Sequence, residues 1–179
     1  MDYDGGKYTG QVQNGKPHGH GTATYPDGTT YDGEWKDGKA HGYGVITGAD
    51  GYRFEGEFRN DKADGFGKET LSDGSKYVGG WKNASAHGYG MGKEASGAVY
   101  KGNWLCGKAD GYGVYTWANG ERYEGNWLDN QRHGHGVMFY ADGHKYDGEW
   151  AYGMKHGHGV MTWADGSRYE GEWKLDKMV

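Results

Sequence analysis

Long hydrophobic runs are absent from this chain. No stretch approaches the roughly 18 consecutive apolar residues that a membrane-spanning helix needs. The opening segment, "MDYDGGKYTG", lacks the apolar core of a secretion signal. Cysteine occurs once, as Cys106, which excludes an internal disulfide framework. Proline occurs only at Pro17 and Pro26. Basic residues are not in excess either. The 20 Lys and Arg against 25 Asp and Glu give a net charge of −5, a poor match for a nucleic-acid binder, and no nucleic-acid partner is expected. There is no C-terminal prenylation box, and Asp2 stands where a myristoylation signal has glycine. The sequon Asn83-Ala84-Ser85 has no secretion signal to serve it. The expectation is a soluble intracellular protein, cytoplasmic, cytoskeletal or peripheral to a membrane.

What is present is glycine and aromatic rings. The 179 residues include 38 Gly, eight Trp and sixteen Tyr. Glycine at that density ordinarily points to disorder, but a flexible linker does not carry so many rings. The stretch "YDGEWKDGKAHGYG", residues 31–44, contains no Leu, Ile or Val, and it recurs throughout the chain.

The pattern aromatic-x-Gly-x-aromatic occurs at Tyr31/Gly33/Trp35, Phe54/Gly56/Phe58, Tyr77/Gly79/Trp81, Tyr100/Gly102/Trp104, Tyr123/Gly125/Trp127, Tyr146/Gly148/Trp150 and Tyr169/Gly171/Trp173. A first copy, Tyr8/Gly10/Val12, has Val for the second ring. The spacing is 23 residues each time. A Gly-x-Gly pair and an Asp-Gly-like pair keep the same period, so the chain is an array. The units run 8–30, 31–53, 54–76, 77–99, 100–122, 123–145 and 146–168, with a partial unit over 1–7 and a partial eighth over 169–179.

Each unit reads as a β-hairpin. "YDGEW" alternates in the period of two that gives a strand two different faces. "KDGKA" supplies a turn, "HGYGVIT" the return strand, and "ADG" the turn into the next unit. Helix is disfavoured, because a glycine in a helix interior costs about 1 kcal/mol. The expected fold is all-β, an elongated antiparallel single-sheet array of 23-residue hairpins. At about 4.8 Å per strand it extends roughly 70 Å. Glycine inside a strand marks close approach of another group, so each Tyr or Trp ring is expected to lie over glycine backbone of a neighbouring strand. Stability then sums over neighbours along the array.

At these residues the chain resembles the MORN (membrane occupation and recognition nexus) repeat family. "YDGEWKDGKAHGYG", "YEGNWLDNQRHGHGVMFYADGHK" and "YDGEWAYGMKHGHGVMTWADGSR" carry the resemblance, which covers essentially the whole chain. Departures include Phe58 for Trp, Asp64 and Asp110 at the usual His position, and "KNASAHG" in place of a glycine-containing turn. The resemblance implies a hairpin array used as scaffold or adaptor, not as catalyst. Such units occur beside lipid kinases, in junctional membrane proteins, before a histone-methyltransferase domain, and in protist cytoskeletal and ciliary proteins. A chain made only of units is most similar to the last group. The implied function is a non-enzymatic scaffold that self-associates and organises cytoskeletal or membrane-associated protein partners. The alternatives are a phosphoinositide-binding membrane adaptor and the recognition module of a larger enzyme.

No catalytic constellation appears. Gly-x-Gly here lacks the following helix that a phosphate-binding fingerprint requires, and neither a Gly-x-Ser-x-Gly elbow nor a His-Glu-x-x-His pair is present. A partner groove is expected over Tyr100, Trp104, Tyr123, Trp127, Tyr146 and Trp150. His133/His135 and His156/His158, two apart on strands and one unit apart, are the candidate ligands for Zn²⁺ or Cu²⁺, with Cys106 as a further donor. The competing reading, that these histidines fill a structural repeat position, is favoured, so no cofactor is expected. For anionic lipid the candidate residues are Arg53, Lys76, Arg122, Lys145 and Arg168, each preceding the unit's aromatic. Acidic residues follow them on the same face, which suits cross-strand ion pairing better than a leaflet that attracts clusters of unpaired cations.

The last strand leaves a sheet edge, a template for pairing. Either the sequence is an excerpt from a longer array or the edge is a dimer interface; for a homodimer the expected contacts are Tyr169, Trp173, Leu175 and Met178.

Overall fold

The computed structural model describes residues 1–179, and they contain no helix. Two compact units are formed, Met1–Gly88 and Tyr89–Val179. The first holds β1 (Asp2–Tyr3), β2 (Gly6–Gln13), β3 (Lys16–Thr24), β4 (Thr30–Lys36), β5 (Lys39–Thr47), β6 (Arg53–Arg59), β7 (Lys62–Thr70) and β8 (Lys76–Lys82). The boundary falls within β9 (Ser85–Lys93). The second unit continues with β10 (Val99–Leu105), β11 (Lys108–Thr116), β12 (Arg122–Leu128), β13 (Gln131–Phe139), β14 (Lys145–Ala151), β15 (Met154–Thr162), β16 (Arg168–Lys174) and β17 (Lys177–Met178). In each unit every strand pairs antiparallel with the next in sequence. The all-β hairpin array expected from the periodicity is what forms.

Two turns alternate along the chain. At the tip of each hairpin two residues sit at positive φ, as at Asp37 (51°) and Gly38 (84°), the geometry whose twist matches the flanking strands. The tip then docks on the preceding hairpin: Gly38 N–H donates to Pro17 O at 2.9 Å, and Asn130 N–H to Ala109 O at 2.9 Å. Between hairpins the connection is longer. In Tyr25-Pro26-Asp27-Gly28 the Gly28 N–H donates to Tyr25 O at 3.0 Å, and Asp27 Oδ1 accepts Thr29 N–H at 2.8 Å. Pro26 occupies the turn position whose φ it already has.

Within each hairpin the return strand carries extra length. Gly33 pairs with Gly44 and Trp35 with Ala40, so one intervening residue of β4 faces three of β5. The Gly33/Gly44 pair lets two backbones and one ring share a space. A Cβ on Gly33 would lie 2.5 Å from Gly44 Cα, and one on Gly44 would lie 2.5 Å from Tyr31 Oη. The ring therefore lies flat over glycine, and its hydroxyl donates to Glu34 O at 2.8 Å.

Stacked hairpins place each ring edge-on to the next. In the first unit Tyr8, Trp35, Tyr31, Phe58, Phe54 and Trp81 form a chain of edge contacts with centroids 5.0–5.3 Å apart. In the second, Trp104, Tyr100, Trp127, Tyr123, Trp150, Tyr146, Trp173 and Tyr169 continue the same zigzag at 5.0–5.5 Å. Each such contact contributes about 0.5–1.5 kcal/mol beyond the area it buries. The herringbone of rings over glycines is the core.

Candidate functional site

The core assignment changes what the aromatic face can do. Tyr100, Tyr123, Trp127, Tyr146 and Trp150, expected to line a partner groove, are buried against one another. Trp104 is half-buried, with its indole N–H donating to Gly90 O at 3.3 Å. Burial pushes the phenols of Tyr100, Tyr123 and Tyr146 far above the usual tyrosine range. Rings that lie flat over their own glycines pack on one another, so these residues are core, not the lining of an open groove.

The accessible rings stand on the opposite face. The middle residue of each Gly-x-Gly pair points away from the core, because the second glycine of the pair faces the core ring and successive strand residues alternate. In the first unit this position holds His20, Tyr43 and Phe66; in the second it holds Tyr89, Tyr112, His135 and His158. Tyr43 is 51% exposed, Phe66 54%, Tyr89 70% and Tyr112 55%. Pairing fixes them in rows: Tyr43 opposes Glu57, Tyr112 opposes Asn126 and His135 opposes Glu149. Between Tyr89 and Tyr112 lies a trough of about 620 Å³, with Val99, Gly102 and Val114 as floor and Lys101 and Arg122 at its border. The sequence carried the signal for this ladder, since the period of two places residue 43 on the face opposite residue 44.

The basic positions before each aromatic are mostly neutralised. Arg53 meets Glu55 at 2.6 Å, Lys145 meets Asp147 at 3.2 Å, Arg168 meets Glu170 at 2.8 Å, and Arg122 pairs with Glu124. Each pair joins residues two apart on one strand, hence on one face. Lys76 forms no ion pair.

The histidines and Cys106 do not converge. No group of three or more His, Cys, Asp or Glu side chains is placed to hold a metal ion. His135 reaches Asp147 at 3.2 Å, whereas the His133 ring packs against Tyr152 with centroids 6.0 Å apart. Gly134 between them has a left-handed φ of 61°. His156 and His158 are exposed, as is Cys106 at its hairpin tip. At the repeat position shared by His18, His41, Asp64, His87, Asp110, His133 and His156, three members meet the next hairpin tip. His18 Nδ1 lies 3.5 Å from the tip amide of Asp37, and the Asp64 and Asp110 carboxylates lie 3.5 Å from those of Asn83 and Asp129. An acid can replace His there because either offers an acceptor to the next tip.

Of the residues expected at a dimer contact, Trp173 is 5% exposed and packs on Tyr146. Tyr169 Oη bonds to Glu172 O and Val179 O, both at 3.2 Å. Leu175 and Met178 are exposed. With Leu105, Leu128 and Tyr152, Leu175 makes the hairpin tips of the second unit apolar.

Comparison with known proteins adds the family. The MORN repeat model matches residues 8–30, 31–51, 54–76, 77–91, 100–122, 123–145, 146–168 and 169–179. No curated protein matches the chain. Among solved structures, one similar chain is the SAS-4 (dCPAP) TCP domain in complex with a proline rich motif of Ana2 (dSTIL) of Drosophila melanogaster. It is 13% identical, with 87% of this chain and 85% of that one covered and a TM-score of 0.49. Another is selenomethionine-substituted virginiamycin B lyase from Staphylococcus aureus, 12% identical, with 94% and 59% covered and a TM-score of 0.20. At these values neither likeness carries a functional argument.

Proposed function

Because the chain belongs to the MORN repeat family, a non-catalytic repeat that serves in protein interaction or membrane association, we propose that it is a scaffold whose exposed aromatic ladder holds extended, proline-rich segments of protein partners. The observation that carries this reading is the ladder itself, with large rings more than half exposed at one repeat position of successive hairpins.

Its spacing supports the partner chemistry. Successive ladder positions lie two strands apart, about 9.6 Å. A polyproline-II helix completes a turn in three residues at about 3.1 Å each, or about 9.3 Å. A Pro-x-x-Pro segment laid across the strands therefore meets one ring per turn, without the chain having to be ordered first. The trough between Tyr89 and Tyr112 offers the apolar floor such a segment needs. Both units carry ladder rings, so one molecule can hold two segments, which is what a scaffold requires.

Membrane association through phosphoinositides is the second reading, and the ion pairs weigh against it. Four of the five basic residues that would face a leaflet already have carboxylate partners. The test compares the purified chain on a Pro-x-x-Pro peptide and in flotation with vesicles containing phosphoinositide. Saturable peptide binding that falls at least tenfold in Tyr89→Ser/Tyr112→Ser is expected. These are exposed positions, where substitutions shift stability by only about 0.5 kcal/mol. Flotation that needs the anionic lipid and fades with salt, with no peptide binding, would make the chain a membrane adaptor.

A further inference from the structure

The second residue of each return strand is small through most of the array. It is Pro17 in β3, Ala40 in β5, Ala63 in β7 and Ala109 in β11, all buried. In β13 and β15 the same position holds Arg132 and Lys155. Neither side chain reaches out to bulk solvent as a surface cation does. The Arg132 guanidinium lies 4.2 Å from the Trp150 centroid and 5.9 Å from that of Tyr123. The Lys155 ammonium lies 4.7 Å from the Trp173 centroid, 5.5 Å from Tyr146 and 5.8 Å from Tyr140.

Neither cation forms an ion pair. The ion pairs of this unit involve other residues. Arg132 Nη2 donates to Gly153 O at 2.6 Å and Nη1 approaches Met138 Sδ at 4.0 Å, while Lys155 Nζ has no hydrogen bond. The acids nearby are Asp176 and Glu121. Asp176 Oδ1 is engaged by the Lys155 main-chain N–H at 2.8 Å. Loss of hydration lowers the basicity of both side chains. Cation–π attraction to the rings and the charge of the nearby acids recover part of that loss, but neither cation has an anion in direct contact.

We propose that Arg132 and Lys155 form a docking site for an acidic segment of a protein partner, on the aromatic face and therefore distinct from the ladder. The two cations occupy equivalent positions two strands apart, about 9.6 Å. In an extended polyproline-like chain, residues three apart return to one side after about 9.3 Å, so a Glu-x-x-Glu spacing reaches both. Arg132 keeps donors free for a two-point contact with a carboxylate, and Lys155 supplies a compact charge to the second. A single lipid headgroup spans only one of the two, and the rings leave the cations recessed. The complementarity favours a carboxylated chain.

The test titrates the full chain with a labelled Glu-x-x-Glu peptide and with its Gln-x-x-Gln counterpart. The acidic peptide is expected to bind, to weaken with salt, and to lose at least tenfold in affinity in Arg132→Ala/Lys155→Ala. That variant restores the residue found at Ala40, Ala63 and Ala109, so folding is expected to survive. Arg132→Met/Lys155→Met keeps the stems against Trp150 and Trp173 without the charge and is expected to lose the same affinity. Equal binding of the Gln peptide, unchanged affinity in a folded variant, or capture of phosphoinositide vesicles but not peptide would each overturn the proposal. Loss of Pro-x-x-Pro binding in the ladder variant would leave this result untouched.

Discussion

The two compact units share one set of core positions and differ at the positions around it. Tyr31 and Tyr123 each lie over a glycine pair and donate to the carbonyl three residues on, at 2.8 and 3.0 Å. Outside that frame the units diverge. Hairpin tips of the first carry Lys36, Arg59 and Lys82, where the second has Leu105, Leu128 and Ala151. Alanine covers the rings at Ala40 and Ala63, whereas Arg132 and Lys155 do so in the last hairpins. The lesson is that a repeat of this kind spends little of each unit on holding its shape. The flat ring, its two glycines and the tip turn are constrained by contact. Residues between them are free to make each stretch a different surface.

The sharpest way to break that comparison is to put a methyl group under the ring in both units. In Gly44→Ala the new Cβ meets Tyr31 Oη and ring carbons at 2.5–2.6 Å, and in Gly136→Ala it meets the Tyr123 ring. The ring must lift and lose its hydroxyl bond. Overpacking of about 2 kcal/mol plus a bond of about 1 kcal/mol gives a loss of about 3 kcal/mol. The thermal midpoint should fall by about 10 °C in either variant. A unit that tolerates alanine without such a fall would not hold its ring flat.

A smaller effect separates the units. Trp127 Nε1 donates to Gly113 O at 3.2 Å, but Trp81 Nε1 is buried without a partner. Replacing Trp127 by Phe removes a bond and strands Gly113 O, whereas replacing Trp81 removes a donor that had nothing to bind. Phe58 already shows that the first unit accepts a phenyl ring at this position. Trp127→Phe should therefore cost about 1–2 kcal/mol more than Trp81→Phe in denaturant unfolding. Equal costs would mean the indole bonds contribute nothing and only ring area counts.

Much of this was legible in the sequence, because a period of 23 without insertion assigns every residue a strand position and a face. The hairpins, the turns and the rings over glycine followed from that period. Periodicity says which residues share a face, but not how much of that face the rings themselves fill. Tyr123 and Tyr146 share a face, as the period says, and they fill it as core, where an open groove was expected. The same limit hid Tyr43 and Tyr112, whose exposure depends on where the filled face lies. Arg132 and Lys155 were invisible for another reason. Their place over Trp150 and Trp173 comes from contact with the next hairpin, which no strand period encodes.

The smallest expected change tests the tip turn. Most tips of both units have Gly, Asp or Asn as the second residue, residue types that reach left-handed φ at little cost. Ala84 is the exception, at φ 65°, in a tip whose N–H still donates to Ala63 O at 2.9 Å. An alanine held there costs about 1 kcal/mol relative to glycine. Part of that is offset because glycine loses more freedom on folding. Ala84→Gly should stabilise the chain by about 0.5 kcal/mol, seen as a rise of about 2 °C in the thermal midpoint. The matched reversal, Gly38→Ala, should lower stability by a similar amount or more, since its Cβ would also crowd Tyr3 Oη. If Ala84→Gly leaves the midpoint unchanged while Gly38→Ala lowers it, crowding by Tyr3 and not backbone conformation sets the choice of residue at the tip.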